Sequence, residues 1–259
     1  MSEWWTYRPS DFLLFAPRTY YRLFELYNAD IWPVHIVALL AGVTILVLMR
    51  SDAPWRGRLI AAMLAACWLW VAWAFHWQRY ATINWAASYF AVGFAIEALL
   101  LFWIGVVRDR LRFNTNRNAS TRIGVAMFVF ALTVQPLLGL LFGRHWLQLE
   151  VFGVAPGPTV VATLGLLLAA KRINRIALPI PLLWCLLDGA TLWVMNATDA
   201  FVLPGVAVLV LLFDPRLDLR RLVILEPPVI VHDRNAMESF RNGMLGSHRI
   251  VKRSGDGCW

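Results

Sequence analysis

Charged residues are scarce in this sequence. Only 15% of its 259 residues are Asp, Glu, Lys or Arg, whereas a soluble domain carries about 25%. The hydrophobic fraction is 59% and the mean hydropathy is +0.59, so the chain has too few polar residues for a surface that faces water. This shortage excludes an ordinary soluble domain and favours a protein that is surrounded by lipid.

Cysteine is also rare, and the common enzyme motifs are absent. Cys67 and Cys185 lie inside apolar runs and Cys258 lies near the C-terminus, which excludes a disulfide framework or a cysteine metal site. The sequence has no Walker loop, no dinucleotide glycine fingerprint and no nucleophile elbow. Residues 153–158 are glycine-rich, but their prolines lack the N–H groups of a phosphate cradle. The balance favours a protein that is not an enzyme, and no cofactor is predicted.

Two further absences concern targeting and partners. The first thirty residues contain no apolar stretch long enough for a cleavable signal peptide, because the patch at residues 12–15 is too short. The formal net charge is +8, but the basic residues lie in short loops between apolar runs and in the C-terminal tail. This distribution is typical of membrane topology. The predicted partner is therefore the lipid bilayer, and no nucleic acid is expected.

Long apolar runs dominate the middle of the chain. They cover residues 31–49, 59–75, 85–107, 123–142, 158–173, 176–195 and 200–213. A transmembrane helix needs about 17–25 residues, so the runs 158–173 and 200–213 are marginal and six spans is the alternative to seven. The sequence predicts an all-α, polytopic bundle of seven transmembrane helices over residues 31–213.

Basic residues in alternate loops predict the orientation of the bundle. The loops after the first, third and fifth runs contain Arg50, Arg56, Arg58, Arg108, Arg110, Arg112, Arg117, Arg122, Lys171, Arg172 and Arg175. The intervening loops contain Arg79 and Arg144. The positive-inside rule then predicts an outer N-terminus and a cytoplasmic C-terminus in a bacterial inner membrane.

Both ends of the chain lack a long apolar run. Within the outer segment 1–30, apolar residues recur at helical spacing over residues 17–28. This pattern predicts an amphipathic helix, which either lies on the membrane surface or packs on the bundle as a cap. Residues 214–259 are polar and basic without a sustained period, which predicts a flexible cytoplasmic tail.

Several short motifs, in this order and spacing, resemble the domain of unknown function 6064 family of bacterial integral membrane proteins. They are residues 27–33, His76-Trp77, Ile83-Asn84, residues 136–139, Gly143-Arg144-His145, Phe152-Gly153, Pro156, Pro158-Thr159 and residues 181–184. The resemblance covers residues 15 to 213 and implies a membrane fold without an established activity. The chain departs from the usual pattern, with Gly157 in place of Cys, Asp188-Gly189 in place of a glycine pair and Glu97 in place of Gln.

Three polar residues lie near the middle of predicted spans. They are Glu97, Gln135 and Asp188. A charge at that depth costs at least about 2.5–3.5 kcal/mol, so an intramembrane acid is a functional candidate by default. The alternative is a neutral carboxyl group that makes a hydrogen bond to a neighbouring helix.

The predicted outer ends of the spans contain polar residues that form a candidate binding rim. The predicted rim residues are His35, His76, Asn84 and His145, with Glu150 and Asp199 at the same level. His76 and His145 are candidate metal ligands, and we expect them within roughly 10–12 Å of each other, about one helix diameter. The alternative is a set of separate histidines that reach water or a backbone carbonyl.

Three functions remain open from the sequence. Intramembrane acids and proline-broken late spans favour transport of a small solute or ion. The alternative is a non-catalytic accessory subunit that contacts membrane protein partners through its aromatic surface and basic tail. The third is a metal or cofactor site at the outer histidine rim.

Overall fold

The structure, a computed structural model, describes residues 15–113, 118–171 and 175–213. Helices account for 77% of these residues, and no β-strand occurs among them. The predicted tail at residues 214–259 lies outside the described residues, as do residues 1–14 of the predicted outer segment.

Eight α-helices make up the described part of the chain. They are α1 (Pro17–Asp30), α2 (Val34–Arg50), α3 (Arg56–Trp70), α4 (Ala87–Leu101), α5 (Ala119–Leu141), α6 (Pro156–Ala169), α7 (Pro179–Val194) and α8 (Val202–Phe213). Two of them continue as π-helix, α3 through Val71–Trp77 and α4 through Phe102–Val107. Short 3-10 turns occupy Tyr80–Thr82, Trp146–Gln148 and Arg175–Ala177.

Four helical stretches of the described chain are long and apolar enough to cross a membrane. They are Arg56–Thr82, Ala87–Val107, Ala119–Leu141 and Arg175–Val194. The pair α1 and α2 would add a fifth if it counted as one span, although its two axes differ by 88°. The helices α6 and α8 are apolar but shorter. An all-helical protein with several candidate spans is thus confirmed, and the count of seven stays a prediction.

Large apolar side chains cover the outside of these helices. Val37, Leu40 and Val47 on α2 and Leu99 on α4 are between 61% and 68% exposed. A soluble monomer rarely exposes apolar patches of this extent, because they would promote association. In a bilayer the same side chains contact lipid.

Helix α6 lies in the middle of the bundle, with all 14 of its residues buried. It packs most closely on α5, where a Cβ on Gly124 would lie 2.4 Å from the carbonyl oxygen of Gly165. Small residues of this kind let two membrane helices approach until their backbones touch. Because protein surrounds α6, its short length does not expose polar helix ends to lipid.

One end of the bundle is rich in arginine, and backbone contacts join its loops. Arg56 Nη2 donates to the carbonyl of Phe113 at 3.0 Å. The N–H of Lys171 donates to the carbonyl of Arg112 at 2.7 Å. Ser120 Oγ, at the start of α5, donates to the carbonyl of Phe213 at 2.9 Å. These contacts place the ends of α4, α6 and α8 beside the starts of α3 and α5, and we call this side the arginine end.

The opposite side, which we call the α1 end, is covered by α1. The buried face of that helix carries Tyr20, Phe24 and Tyr27, which are 1–3% exposed. Tyr27 donates from its hydroxyl to the carbonyl of Val154 at 2.9 Å, and Asn28 donates to the carbonyls of Leu147 and Leu149. The apolar face of α1 therefore packs against protein, in the manner of a cap on the bundle.

Candidate functional site

The chain turns back after α5 and places Arg144 inside the α1 end. Gly143 has a φ of +80°, a left-handed conformation that glycine adopts without strain. The N–H of Arg144 donates to the carbonyl of Gly139 at 2.8 Å, which satisfies a carbonyl in the last turn of the helix. The Arg144 side chain is 10% exposed, so its charge is shielded from bulk water.

Arg144 contacts two acidic residues and one tyrosine. Its Nη2 donates to both carboxylate oxygens of Asp199, at 2.6 and 2.7 Å, and to the Tyr21 hydroxyl at 3.2 Å. Its Nη1 lies 3.7 Å from Oε1 of Glu150, and its guanidinium carbon lies 4.6 Å from the centroid of the Tyr21 ring. These charge-assisted contacts connect α1 with the loops that precede α6 and α8.

Arg144, Glu150 and Asp199 line a cavity of about 20 Å³, which has room for about one water molecule. Gln135 of α5 and Asp188 of α7 also line it. Gly157 keeps the space open, because a Cβ there would lie 2.8 Å from Oε2 of Glu150 and 3.2 Å from Nε2 of Gln135. We call this group the Arg144 cluster: Gln135, Arg144, Glu150, Asp188 and Asp199.

Acidic groups outnumber basic groups in the Arg144 cluster. Glu150, Asp188 and Asp199 face one guanidinium, so the lining would carry a net negative charge if all three carboxyl groups were ionised. Burial, opposed by Arg144 and reinforced by Asp199, raises the pKa of Glu150 to about 7. Burial disfavours the charged form of Arg144, but Glu150 and Asp199 outweigh that effect and raise its pKa above the ordinary value. The cluster can therefore hold a proton on a carboxyl group near neutral pH.

His76 lies in a separate, apolar environment. It belongs to the π-helical extension of α3 and is fully buried. The ring centroids of Phe94 and Trp184 lie 4.5 and 4.9 Å from that of the imidazole. In the described ranges, neither ring nitrogen of His76 has a hydrogen-bond partner. Aromatic rings enclose this histidine, in contrast to the wet rim on which the sequence places it.

Glu97 belongs to the same neighbourhood as His76. It lies on α4 one turn beyond Phe94, it is fully buried, and neither of its carboxyl oxygens has a hydrogen-bond partner. The indole N–H of Trp184 on α7 also lacks a partner. We call His76, Phe94, Glu97 and Trp184 the His76 site.

The remaining predicted rim residues lie at three places of the α1 end. His35 Nε2 is 3.0 Å from Oδ1 of Asn28 and lines an apolar groove of about 510 Å³ together with Trp146. His145 is exposed, and its Nδ1 accepts from the N–H of Leu147 at 3.4 Å. Asn84 accepts from the N–H of Ala86, just before α4.

The described contacts of His76, Asn84 and His145 are each with different residues, and their predicted convergence stays a prediction. The groove brings His35 next to Trp146, the neighbour of His145, whereas the described contacts of His76 are with other residues. Within the described ranges, no group of three His, Cys, Asp or Glu side chains could hold a metal ion. The separation of His76 and His145 stays a prediction.

The sequence profile of a family of unknown function, DUF6064, matches residues 18–221. The chain belongs to this family. The match confirms the resemblance that the short motifs indicate. No protein of curated function and no solved structure matches the chain, so its function has to be argued from the geometry of its own residues.

Three of the family-like segments meet at the Arg144 cluster. Residues 136–139 precede the turn, Gly143-Arg144-His145 contains the guanidinium, and Pro156 begins the helix on which Gly157 lies. Sequence reasoning singled out Gln135 and Asp188 but did not assign a role to Arg144. A usable signal was present, since Arg144 is a single basic residue in a predicted outer loop that also contains one acid, Glu150.

Proposed function

We propose that this protein transports a small solute or ion across the bacterial inner membrane and uses proton binding at the Arg144 cluster to do so. The observation that carries the proposal is the excess of carboxyl groups over cations around a shielded, water-sized cavity. Like charges at such short range cannot all ionise, so protons have to be shared among them.

The contacts of Arg144 suggest how protonation would act. The guanidinium pairs closely with Asp199, while Glu150 lies 3.7 Å from its other terminal nitrogen. A proton on Asp199 would weaken that pair and favour a shift of Arg144 towards Glu150. A proton on Glu150 would have the opposite effect. Asp199 precedes α8 and Glu150 precedes α6. The acid with which Arg144 pairs therefore determines which of these two helices is held to the guanidinium.

Helix α5 supplies a feature that supports movement beside the cavity. Pro136 lies inside the helix, next to Gln135. A proline removes the hydrogen bond to the carbonyl four residues earlier and weakens the helix at that point. Interrupted helices that frame a polar site are common in transporters.

The topology that we propose has seven membrane helices, α2 to α8, with the arginine end in the cytoplasm. Two features support it: the loops after α2, α4 and α6 belong to the arginine end, and that end contains Arg56, Arg58, Arg108 and Arg112. The positive-inside rule then places the α1 end outside and the tail at residues 214–259 in the cytoplasm. Labelling of the variant Asp109→Cys tests this orientation. If the introduced cysteine reacts with a membrane-impermeant reagent in intact cells, the arginine end lies outside and the proposed orientation is wrong.

Proteoliposomes test the transport proposal. A pH-sensitive dye inside the vesicles reports proton entry when a potassium diffusion potential is imposed. We expect wild-type protein to conduct protons faster than empty liposomes. We expect Asp188→Asn or Asp199→Asn to slow that flux about 100-fold, the contribution of a side chain that transfers protons.

The matched control is Asp30→Asn, which removes an acid from the α1 end outside the cluster. Asp30 is exposed and pairs with Arg79, so the flux of this variant should equal that of the wild type. A wild-type flux no faster than that of empty liposomes would contradict the proposal, as would equal flux in all variants.

A further inference from the structure

The His76 site contains five polar atoms that have no hydrogen-bond partner among the residues that the structure describes. They are Nδ1 and Nε2 of His76, Oε1 and Oε2 of Glu97 and Nε1 of Trp184. Buried polar groups in proteins are nearly always hydrogen-bonded, because an unpaired group costs about 1–3 kcal/mol. Five such atoms in one neighbourhood indicate a ligand that completes their hydrogen bonds.

Phe94 defines that neighbourhood. Its ring centroid lies 4.5 Å from that of His76 and 5.0 Å from that of Trp184, and Glu97 follows it by one helical turn. Three membrane elements contribute, namely the extension of α3, α4 and α7. By comparison, Trp68 packs on the same Phe94 at 4.4 Å but donates its indole N–H to Thr163 Oγ1 at 2.7 Å. Of the two tryptophans on Phe94, Trp68 therefore pairs its indole within the protein, whereas the indole of Trp184 is unpaired among the described residues.

The backbone at His76 is also unusual. The residue lies in a seven-residue π-helical segment, Val71–Trp77. Such segments are rare in proteins and are frequently found at functional sites. This feature comes from the backbone and is independent of the unpaired side-chain atoms.

The donor and acceptor set identifies the class of ligand. The indole can only donate, a neutral imidazole donates once and accepts once, and a carboxyl group accepts and, when protonated, donates. A ligand that both donates and accepts fits this set, whereas an anion would face Glu97 and an apolar molecule would leave all five atoms unpaired. Water is the smallest molecule that meets the requirement, and buried waters typically make about three hydrogen bonds of this kind.

Helix α7 connects this site to the Arg144 cluster. Trp184 and Asp188 are four residues apart, so they lie on one face of the helix, and both are buried. Asp188 lines the cavity of the Arg144 cluster. The Tyr80 ring centroid lies 6.0 Å from that of His76 and 5.9 Å from that of Tyr20 on α1. One face of α7 therefore contributes a residue to each of the two sites.

We infer that His76, Glu97 and Trp184 form an internal water-binding site in which Glu97 is a protonated acid that exchanges its proton with the bound water. If the protein conducts protons as proposed above, this site would be the next proton-binding position after Asp188, and that part of the inference rests on the proposed function. The binding of water and the protonation of Glu97 do not depend on it.

Infrared spectroscopy of the protein in lipid nanodiscs tests the inference. The carbonyl stretch of a protonated carboxyl group is resolved from the bands of carboxylates and amides. We expect the difference spectrum between wild type and Glu97→Gln to contain this band, and we expect the band to shift in D₂O because water in the site exchanges the proton. The absence of the band, or a band that does not change in D₂O, would overturn the inference.

Two variants that preserve the aromatic ring test whether the nitrogens of His76 and Trp184 affect Glu97. The readout is the carbonyl frequency of Glu97, which a purely packing role of the two rings would not shift. His76→Phe and Trp184→Phe keep aromatic contacts with Phe94 but remove the nitrogens, so each should shift the carbonyl frequency of Glu97. The control Trp146→Phe changes an exposed tryptophan and should leave the frequency unchanged. If His76→Phe and Trp184→Phe also leave it unchanged, the three residues do not share a ligand.

The infrared and flux measurements can fail independently. A protonated, exchanging Glu97 in a protein that conducts no protons would refute the transport proposal and leave the water site standing. Proton flux in a protein whose Glu97 band is missing or insensitive to D₂O would refute the water site alone.

Discussion

The Arg144 cluster and the His76 site both bury carboxyl groups, but they satisfy them differently. In the cluster, Arg144 makes close contacts with Asp199 and a longer one with Glu150. At the His76 site, Glu97 has no hydrogen-bond partner within the described part of the chain. The difference follows from where the residues lie in the chain. Loops that return to the α1 end can bring a cation and acids together, whereas Glu97 is fixed in the middle of helix α4.

This comparison separates two ways in which a membrane protein tolerates a buried acid. An ion pair keeps the acid charged but makes it dependent on its partner, because loss of one member leaves the other buried and unpaired. A carboxyl group without an ionic partner avoids the cost of a buried charge if it stays protonated. Removal of Arg144 should therefore be far more damaging than removal of Glu97.

The largest effect is expected for Arg144→Gln. It leaves Glu150 and Asp199 without their cation, and breaking a buried pair in this way costs about 3–5 kcal/mol. Thermal unfolding of the detergent-solubilised protein, followed by tryptophan fluorescence, measures the loss. The control Arg79→Gln breaks the exposed pair with Asp30 and should cost less than about 1 kcal/mol.

A double variant makes the test of Arg144 specific. Arg144→Gln combined with Asp199→Asn removes both members of the closest pair, so it should be more stable than Arg144→Gln alone. If the second substitution lowers stability by as much as it does in the wild type, the two residues are not coupled and the ion pair is not the source of the effect.

A smaller effect on stability is expected from a change in pH, and it arises from the titration of Glu150. Its folded-state pKa of about 7 lies above the ordinary value of 4.5, so its contribution to stability is fully present below about pH 4.5 and is lost as pH rises through 7. The shift corresponds to about 3 kcal/mol. Glu150→Gln does not titrate, so its stability relative to the wild type should increase between pH 5 and pH 8.

The control for this measurement is an acid that lies outside the groups that face Glu150. Those groups are Arg144, Asp199, Asp188, Tyr20, Tyr21 and Gln135. Glu25→Gln alters an acid on α1 that makes its hydrogen bonds to Arg22 and Gln148, so its unfolding curve should keep the pH dependence of the wild type. If Glu150→Gln keeps that dependence as well, another group is responsible.

Much of the helical architecture could be predicted from the sequence, because lipid imposes a minimum length on apolar runs. The predicted runs 85–107 and 123–142 match α4 with its extension and α5 to within a few residues. The run 158–173 was placed less well, since α6 covers Pro156–Ala169. Its burial depends on small residues such as Gly124 and Gly165 that let α5 and α6 approach, and hydropathy does not report such contacts.

The sites were predictable in part. The depth of Gln135, Asp188 and Glu97 in apolar runs singled them out, but depth alone did not indicate that the first two line one cavity while Glu97 lies apart. That grouping depends on the turn at Gly143 that returns Arg144 to the bundle. The burial of His76 depends on Phe94 and Trp184, which come from other helices and carry no local signal in the sequence.

The smallest effect on stability is expected for Glu97→Gln, although Glu97 is as deeply buried as any acid in the described chain. Gln has nearly the shape of a protonated Glu and can still donate to and accept from a bound water molecule. Because no ion pair or protein hydrogen bond of Glu97 is lost, the change in unfolding free energy should stay within about 1 kcal/mol. Thermal unfolding under the conditions used for Arg144→Gln gives the comparison directly. A loss of several kcal/mol, similar to that of Arg144→Gln, would mean that Glu97 is ionised and paired, and the contrast between the two sites would then be wrong.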